Sequence, residues 1–216
     1  MSCSCCRAAP CEEMFGAEDA RHDMEDYLAK GLGDIESRAL AAMPASAADG
    51  ARVLDVGGGV GAFAAELMKR GAASGEVVEL VGAYAPYAAR LAERLGLAGR
   101  TSFRVHDLLA DPEGVDPADV VVLNRVVCCS AEGPALTAVA ARLARRALLL
   151  TFPRSNVLTR SAAALQRLAF RVLGRRYRAF AWPTEVIVGA AEGQGLRLAA
   201  QGRNVLWQYL VMVRPS

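Results

Sequence analysis

The block Val53-Leu54-Asp55-Val56-Gly57-Gly58-Gly59-Val60-Gly61-Ala62-Phe63 constrains this chain more than any other feature. Ahead of the glycines lies a short apolar run, Arg52–Val56, with strand character. Behind them Val60, Phe63, Ala64, Leu67 and Met68 recur at the spacing of a helix that packs one face on a sheet. Glycines tolerate positive φ and let backbone approach a ligand closely. The free amides that open the following helix face whatever polar group lies over the loop. A strand, a glycine loop and a helix in that order make the opening unit of a parallel sheet.

The rest of the sequence repeats the unit. Strands are expected at 76–81, 101–106, 120–123 and 147–152, and helices at 86–95, 136–143, 156–173 and 184–192. In the helix at 156–173, Leu165, Leu168, Ala169, Val172 and Leu173 are expected to face inward. Residues 196–200 and 205–213, separated by Gly202-Arg203-Asn204, read as a β-hairpin. The predicted fold class is therefore α/β: a Rossmann-like doubly wound sheet with helices on both faces, mostly parallel, with one antiparallel strand from the C-terminal hairpin. Residues 1–16 read as a flexible Cys-rich tail, 17–49 as a helical lid, and 50–216 as the ligand-binding domain. A length of 216 residues and a 53% hydrophobic content suit one domain with a full core.

Charge and composition narrow the partners. A net charge of +2 gives no case for nucleic acid. No apolar run reaches the ~20 residues of a membrane span. The N-terminus, rich in cysteine and followed by acids, is not a secretory signal, so a cytoplasmic setting is expected. Cys3, Cys5, Cys6 and Cys11 crowd the start, and Cys128 and Cys129 adjoin far downstream. Their spacing fits no standard zinc pattern, and no metal site is assigned; a soft ion or metalloid held by both groups is the sharper alternative. The stretch 142–178 carries ten arginines, with Arg160, Arg167 and Arg171 on one face of the long helix. A solvated face explains them; an acidic substrate or peripheral contact with an anionic membrane is the alternative.

Gly57, Gly59 and Ala62 satisfy a dinucleotide-type pattern, so the glycines alone leave two cofactors open. Asp55 sits two residues ahead of Gly57, where a carboxylate suits a cationic amine and serves a pyrophosphate poorly. Glu79 lies 20 residues past Gly59, the place of a ribose-binding acid. At these residues the chain resembles class I S-adenosylmethionine-dependent methyltransferases, over roughly 50–213. The resemblance implies S-adenosylmethionine as cofactor, with Asp55, Gly57, Gly58, Gly59 and Gly61 along it, Glu79 on the ribose hydroxyls and Asp107 at the adenine. It places Asn124 and Arg125, after the fourth strand, beneath the cofactor.

A narrower likeness lies in Leu123-Asn124-Arg125-Val126-Val127-Cys128-Cys129, which resembles a DRVxCCYPD block of a group of small bacterial methyltransferases. Thr151-Phe152-Pro153-Arg154 fits the same group, with some similarity to magnesium-protoporphyrin O-methyltransferases. The chain departs from the block at Asn124, where Asp is usual, and at Ser130, where Tyr is usual. The implied activity is methyl transfer to a small-molecule acceptor, with Tyr27, Cys128, Cys129 and Arg154 as acceptor-side candidates. No catalytic residue is assigned; Tyr27, His106 and Tyr177 are the candidate bases. Two other readings stay open. One is an NAD(P)-dependent oxidoreductase, although a Tyr-x-x-x-Lys proton donor is missing. The other, motivated by Asn124 and Ser130, is a cofactor- or soft-metal-binding accessory protein without transfer activity.

Overall fold

In the computed structural model, residues 4–215 are described, with side chains from Ala8 onward. Cys3 and the side chains of Cys5 and Cys6 lie outside that description. Five strands run parallel: β1 (Arg52–Val56), β2 (Ser74–Glu79), β3 (Thr101–Val105), β4 (Ala118–Asn124) and β5 (Ala144–Pro153). β6 (Arg197–Arg203) and β7 (Trp207–Val213) form the terminal hairpin, and the sheet order is β3-β2-β1-β4-β5-β7-β6. β7 is antiparallel to both its neighbours and lies between β5 and β6. The α/β architecture expected from the sequence is thus the one observed.

Why the central strands are central is plain from their side chains. Val120, Val121, Val122 and Leu123 are all buried, as are Ala147 to Leu150, because a parallel strand covered by helices on both faces has no solvent side. One core, around Val53, Phe63, Leu67, Val122 and Leu149, underlies α4 (Ala62–Lys69), α2 (Ala17–Lys30) and α3 (Asp34–Ala42). The other, around Leu54, Leu123, Leu148 and Phe152, underlies α6 (Gly133–Leu143) and α8 (Thr184–Glu192). α5 (Ala85–Arg94) packs on β3.

Two expectations are corrected. The stretch 1–16, expected as a flexible tail, contains a helix, α1 (Ser4–Glu12). Cys11 and Phe15 pack on the first core, which gives the segment a hydrophobic reason to dock. The second correction concerns α7 (Val157–Val172). Its apolar residues do not face inward: Leu165 is 69% exposed, Leu168 60% and Val172 79%. The periodicity is that of a helix with an apolar face, but among the described residues no part of the body lies against that face.

Candidate cofactor and acceptor site

β1 feeds the strands on one side of the sheet and β4 those on the other, so the loops leaving these two strands flank the point where strand order reverses. Open α/β sheets bind ligands in that crevice. The loop after β1 is a run of tight glycine geometry. Gly57 has φ +63°, and a Cβ there would lie 2.5 Å from Cγ2 of Val126, which follows β4. Gly58 has no room for a side chain either, since its Cβ would meet the Asp55 carboxyl carbon at 2.5 Å. The amide of Gly57 is held by the Val78 carbonyl of β2 at 2.6 Å. The glycines thus let the loop fold back over the strand ends.

Asp55, at the end of β1, is fully buried. Its Oδ2 accepts the Ala64 amide at 3.2 Å, while its Oδ1 is buried with no partner. Burial pushes its carboxyl up to about 7, partly opposed by the Ala64 bond, with the nearby Glu79 charge adding to the rise. Burial with one oxygen unpartnered favours either the protonated acid or a cation brought up to the loop over a bare carboxylate. Glu79, at the end of β2, ties into the same loop. Its Oε2 accepts the Gly59 amide at 3.2 Å, and its Oε1 accepts the amides of Leu80 at 2.7 Å and Val81 at 3.2 Å. Burial raises its pKa and these amides oppose the rise.

Around these carboxylates stand residues that no sequence motif marks. Tyr84, in a short 3-10 turn after β2, is 3.2 Å from where a Cβ on Gly59 would be, and its hydroxyl donates to Asp23 Oδ2 on α2 at 3.1 Å. Burial pushes the Asp23 carboxyl up, against the Tyr84 bond. The lid helix α2 is thereby fastened over the loop. Only the topology reveals the pair, because 61 residues separate the two partners.

The segment after β4 carries the thiols. Cys128 is buried, with its Sγ 3.1 Å from the Arg125 carbonyl and 3.8 Å from the Cys129 Sγ. The Tyr177 hydroxyl donates to the Cys129 Sγ at 3.1 Å. Hydrogen bonds from Cys128 and Tyr177 hold the Cys129 thiol below its ordinary value, whereas Cys128 is pushed up. Cys11, on α1, faces the same region. Burial raises its thiol to about 12, with Cys129 and Glu79 adding to the rise. α1 is held there by Phe15 packed edge-on against Tyr177 at 5.7 Å and by Arg176 donating to Glu13 at 2.6 Å. Among the described residues, no three His, Cys, Asp or Glu side chains are grouped to hold a metal ion.

The other candidates are placed as follows. Asp107 is buried and its Oδ1 accepts the amides of Leu109 and Ala110, at 3.0 and 3.1 Å, so one oxygen caps the turn after β3. Asn124 accepts the Thr151 hydroxyl at 2.5 Å, which orients the ends of β4 and β5. Arg125 has φ 58° and turns its side chain to α3, where it meets Glu36, and to Trp207, over whose ring it lies at 4.6 Å. Tyr27 is bonded to α4, donating to Glu66 at 2.7 Å and accepting from Lys69 at 3.0 Å, so its hydroxyl is tied to that helix and not to the thiol segment. Arg154 reaches the carbonyls of Asn204 and Val205 in the hairpin turn. His106 contacts the Asp111 carbonyl at 2.8 Å through Nε2.

No protein-family model matches the chain, and no curated protein matches it. Solved structures do resemble it. Magnesium protoporphyrin IX methyltransferase from Synechocystis PCC 6803, with S-adenosylhomocysteine bound, is 21% identical over 84% of this chain and 81% of its own, with a TM-score of 0.66. An O-methyltransferase family protein from Burkholderia thailandensis is 22% identical over 94% of this chain and 64% of its own, at 0.68. An O-methyltransferase family 2 protein from Planctomyces limnophilus, in complex with apigenin, is 20% identical over 92% and 62%, at 0.69. At these identities the likeness is one of fold.

Proposed function

We propose that the chain transfers a methyl group from S-adenosylmethionine to a small-molecule acceptor. One observation carries the reading: the orphaned, buried Oδ1 of Asp55 beneath the glycine loop, with Glu79 bonded to Gly59 beside it. A dinucleotide would put a pyrophosphate at such a loop, next to a carboxylate with nothing to neutralise it. A cationic amino-acid group supplies the missing charge. The shared fold agrees with this cofactor but does not by itself assign a function.

In this reading Asp55 and the loop amides hold the methionine part, and Glu79 faces the ribose hydroxyls. Asp107, Asn124 and Arg125 border the cofactor as resemblance implies. Asp107 has already given one oxygen to its turn, and Arg125 acts through the lid. S-adenosylmethionine supplies an electrophilic methyl on a sulfonium with a good leaving group, so positioning and exclusion of water carry much of the rate. α1, α2 and α3 provide the exclusion. Cys129, Tyr177 and Cys11 border the acceptor side, and Cys129 is the thiol held in its more easily ionised form. The DRVxCCYPD-like block is then the acceptor wall, in a cytoplasmic setting that keeps its thiols reduced. Nucleic acid is not an expected acceptor.

Titration calorimetry with S-adenosylmethionine, S-adenosylhomocysteine and NAD tests the cofactor. Binding of the first two and not of NAD is expected, and Asp55→Ala abolishes it. Tight NAD binding would overturn the assignment. Methylation of at least one member of a small-molecule panel by the parent, and by no Asp55→Ala sample, tests transfer. Cofactor binding without turnover on any acceptor would favour the accessory role.

A further inference from the structure

α7 and its flanks form a surface that the proposed chemistry does not use. Val157, Leu158, Leu165, Leu168 and Val172 are between 60% and 81% exposed, and at helical spacing they share one face. The opposite face meets the body: Gln166 accepts the Ala179 amide at 3.1 Å, and Phe170 lies 6.3 Å from the Tyr177 ring. The apolar ridge therefore points away from the protein. Between α7 and the chain at 180–183 runs a groove of about 640 Å³, lined by Arg160, Ala164, Arg167, Phe180 and Trp182.

Charge identifies what covers this face. Not one Asp or Glu occurs between Glu132 and Glu185, while ten arginines do. On α7 itself Arg160, Arg167 and Arg171 form a stripe roughly a third of the helix circumference from the apolar ridge. None of the three makes an ion pair among the described residues. Arg175 and Arg178 lie just beyond, and Arg176 is tied to Glu13. A second copy on this face would bring the same unneutralised arginines together. An in-plane helix on a bilayer has this layout, with apolar side chains in the acyl boundary and arginines beside them at the headgroups.

We infer that α7 is a peripheral membrane anchor, laying its Val157–Val172 face on an anionic lipid bilayer. The helix is too short and too charged to cross, and no described helix is long and apolar enough to do so. Adsorption places the groove beside Phe180 and Trp182, and the thiol segment to which Phe180 and Trp182 are hydrogen-bonded, on the membrane side of the molecule.

The test is co-sedimentation of the full chain with vesicles of phosphatidylcholine alone or mixed with phosphatidylglycerol. Binding to the mixed vesicles only, weakening with salt, is expected. Each of Arg160→Gln, Arg167→Gln and Arg171→Gln should weaken it about fivefold. Leu165→Glu/Leu168→Glu should reduce it to background. These side chains are exposed, so the variants should keep the parent's unfolding midpoint and cofactor affinity, and both are measured in parallel. No binding to anionic vesicles overturns the proposal, as does binding that the Leu165→Glu/Leu168→Glu variant retains. If that variant instead abolishes a dimer seen in analytical ultracentrifugation while the parent ignores vesicles, the face belongs to a second copy. If the parent ignores vesicles and binds an acidic polypeptide through this face, it belongs to a protein.

Discussion

Arg125 donates through Nε to Glu36 Oε1 at 2.6 Å, and this bond fastens α3 to the segment leaving β4. Glu36 is almost fully buried and its other oxygen has no partner. Arg125→Ala would strand that carboxylate and should cost about 2 kcal/mol, less than for a fully buried pair because the guanidinium is half exposed. Replacing both partners, as Glu36→Leu/Arg125→Met, should recover most of the loss. Arg125→Gly should be about 1 kcal/mol milder than Arg125→Ala, because φ is positive there. Urea unfolding of the four proteins checks the ranking. Equal losses in the single and double variants would show that the pair is not the fastening.

Gly57 makes a separable prediction about the loop. Gly57→Ala carries two penalties: a φ of +63° and a contact with Val126. Adding Val126→Ala removes the second and leaves a conformational cost of about 1 kcal/mol. Cofactor affinity should therefore collapse in Gly57→Ala and return in part in Gly57→Ala/Val126→Ala. Calorimetric titration reads both, and no recovery in the double variant would place the fault elsewhere.

Asp55 ties stability to pH. Its carboxyl titrates at ~4 in the unfolded chain and at about 7 in the folded one. Between those values the native state keeps a proton that the unfolded state has lost. The Asp55 contribution to stability therefore falls as pH rises through that window and is level above it. Asp55→Asn should remove this slope, so the variant is more stable than the parent above the window and gains nothing below it. Binding of a cationic ligand should also release a proton near neutral pH. Thermal melts across the window and calorimetry in two buffers of different ionisation enthalpy provide the readouts.

The thiols should differ in reactivity. Iodoacetamide should modify Cys129 before Cys128 and Cys11, because the bonds from Cys128 and Tyr177 lower its pKa, while burial raises Cys11 to about 12. Tyr177→Phe removes one of those bonds and should slow alkylation of Cys129 without slowing it at Cys11. Peptide mass spectrometry after short exposures measures this. Faster labelling of Cys128 would contradict the geometry.

The sequence made some of this legible and hid the rest for physical reasons. Asp55, Gly57 and Glu79 announce themselves because local geometry demands those residue types at those spacings, and β7 shows as the second arm of a hairpin. Asp23 with Tyr84, and Glu36 with Arg125, are invisible in one dimension: each bond joins a lid helix to a segment that follows a distant strand. Arg125 and Arg154, near expected loops, and Tyr27, in the expected lid, are legible as polar candidates but not as clamps, because topology brings in their partners. α7 misled for a different reason. Its apolar period is genuine, and period alone does not say whether the apolar face meets the core or something outside the chain.

The position of β7 sets an order of events during synthesis. β5 pairs with β4 on one edge, and its other edge is filled only by residues 207–213, which leave the ribosome after every other strand. Until they arrive, the backbone at Leu148 to Leu150 offers an open, apolar strand edge, a template for pairing with a neighbouring nascent chain. β6 cannot shield it, since β6 joins the sheet only through β7. The half-made protein therefore passes through an aggregation-prone interval that ends when the hairpin docks. Its yield in a cell would depend on how fast residues 207–213 follow β5 off the ribosome and on chaperone supply, even where the docked sheet is stable.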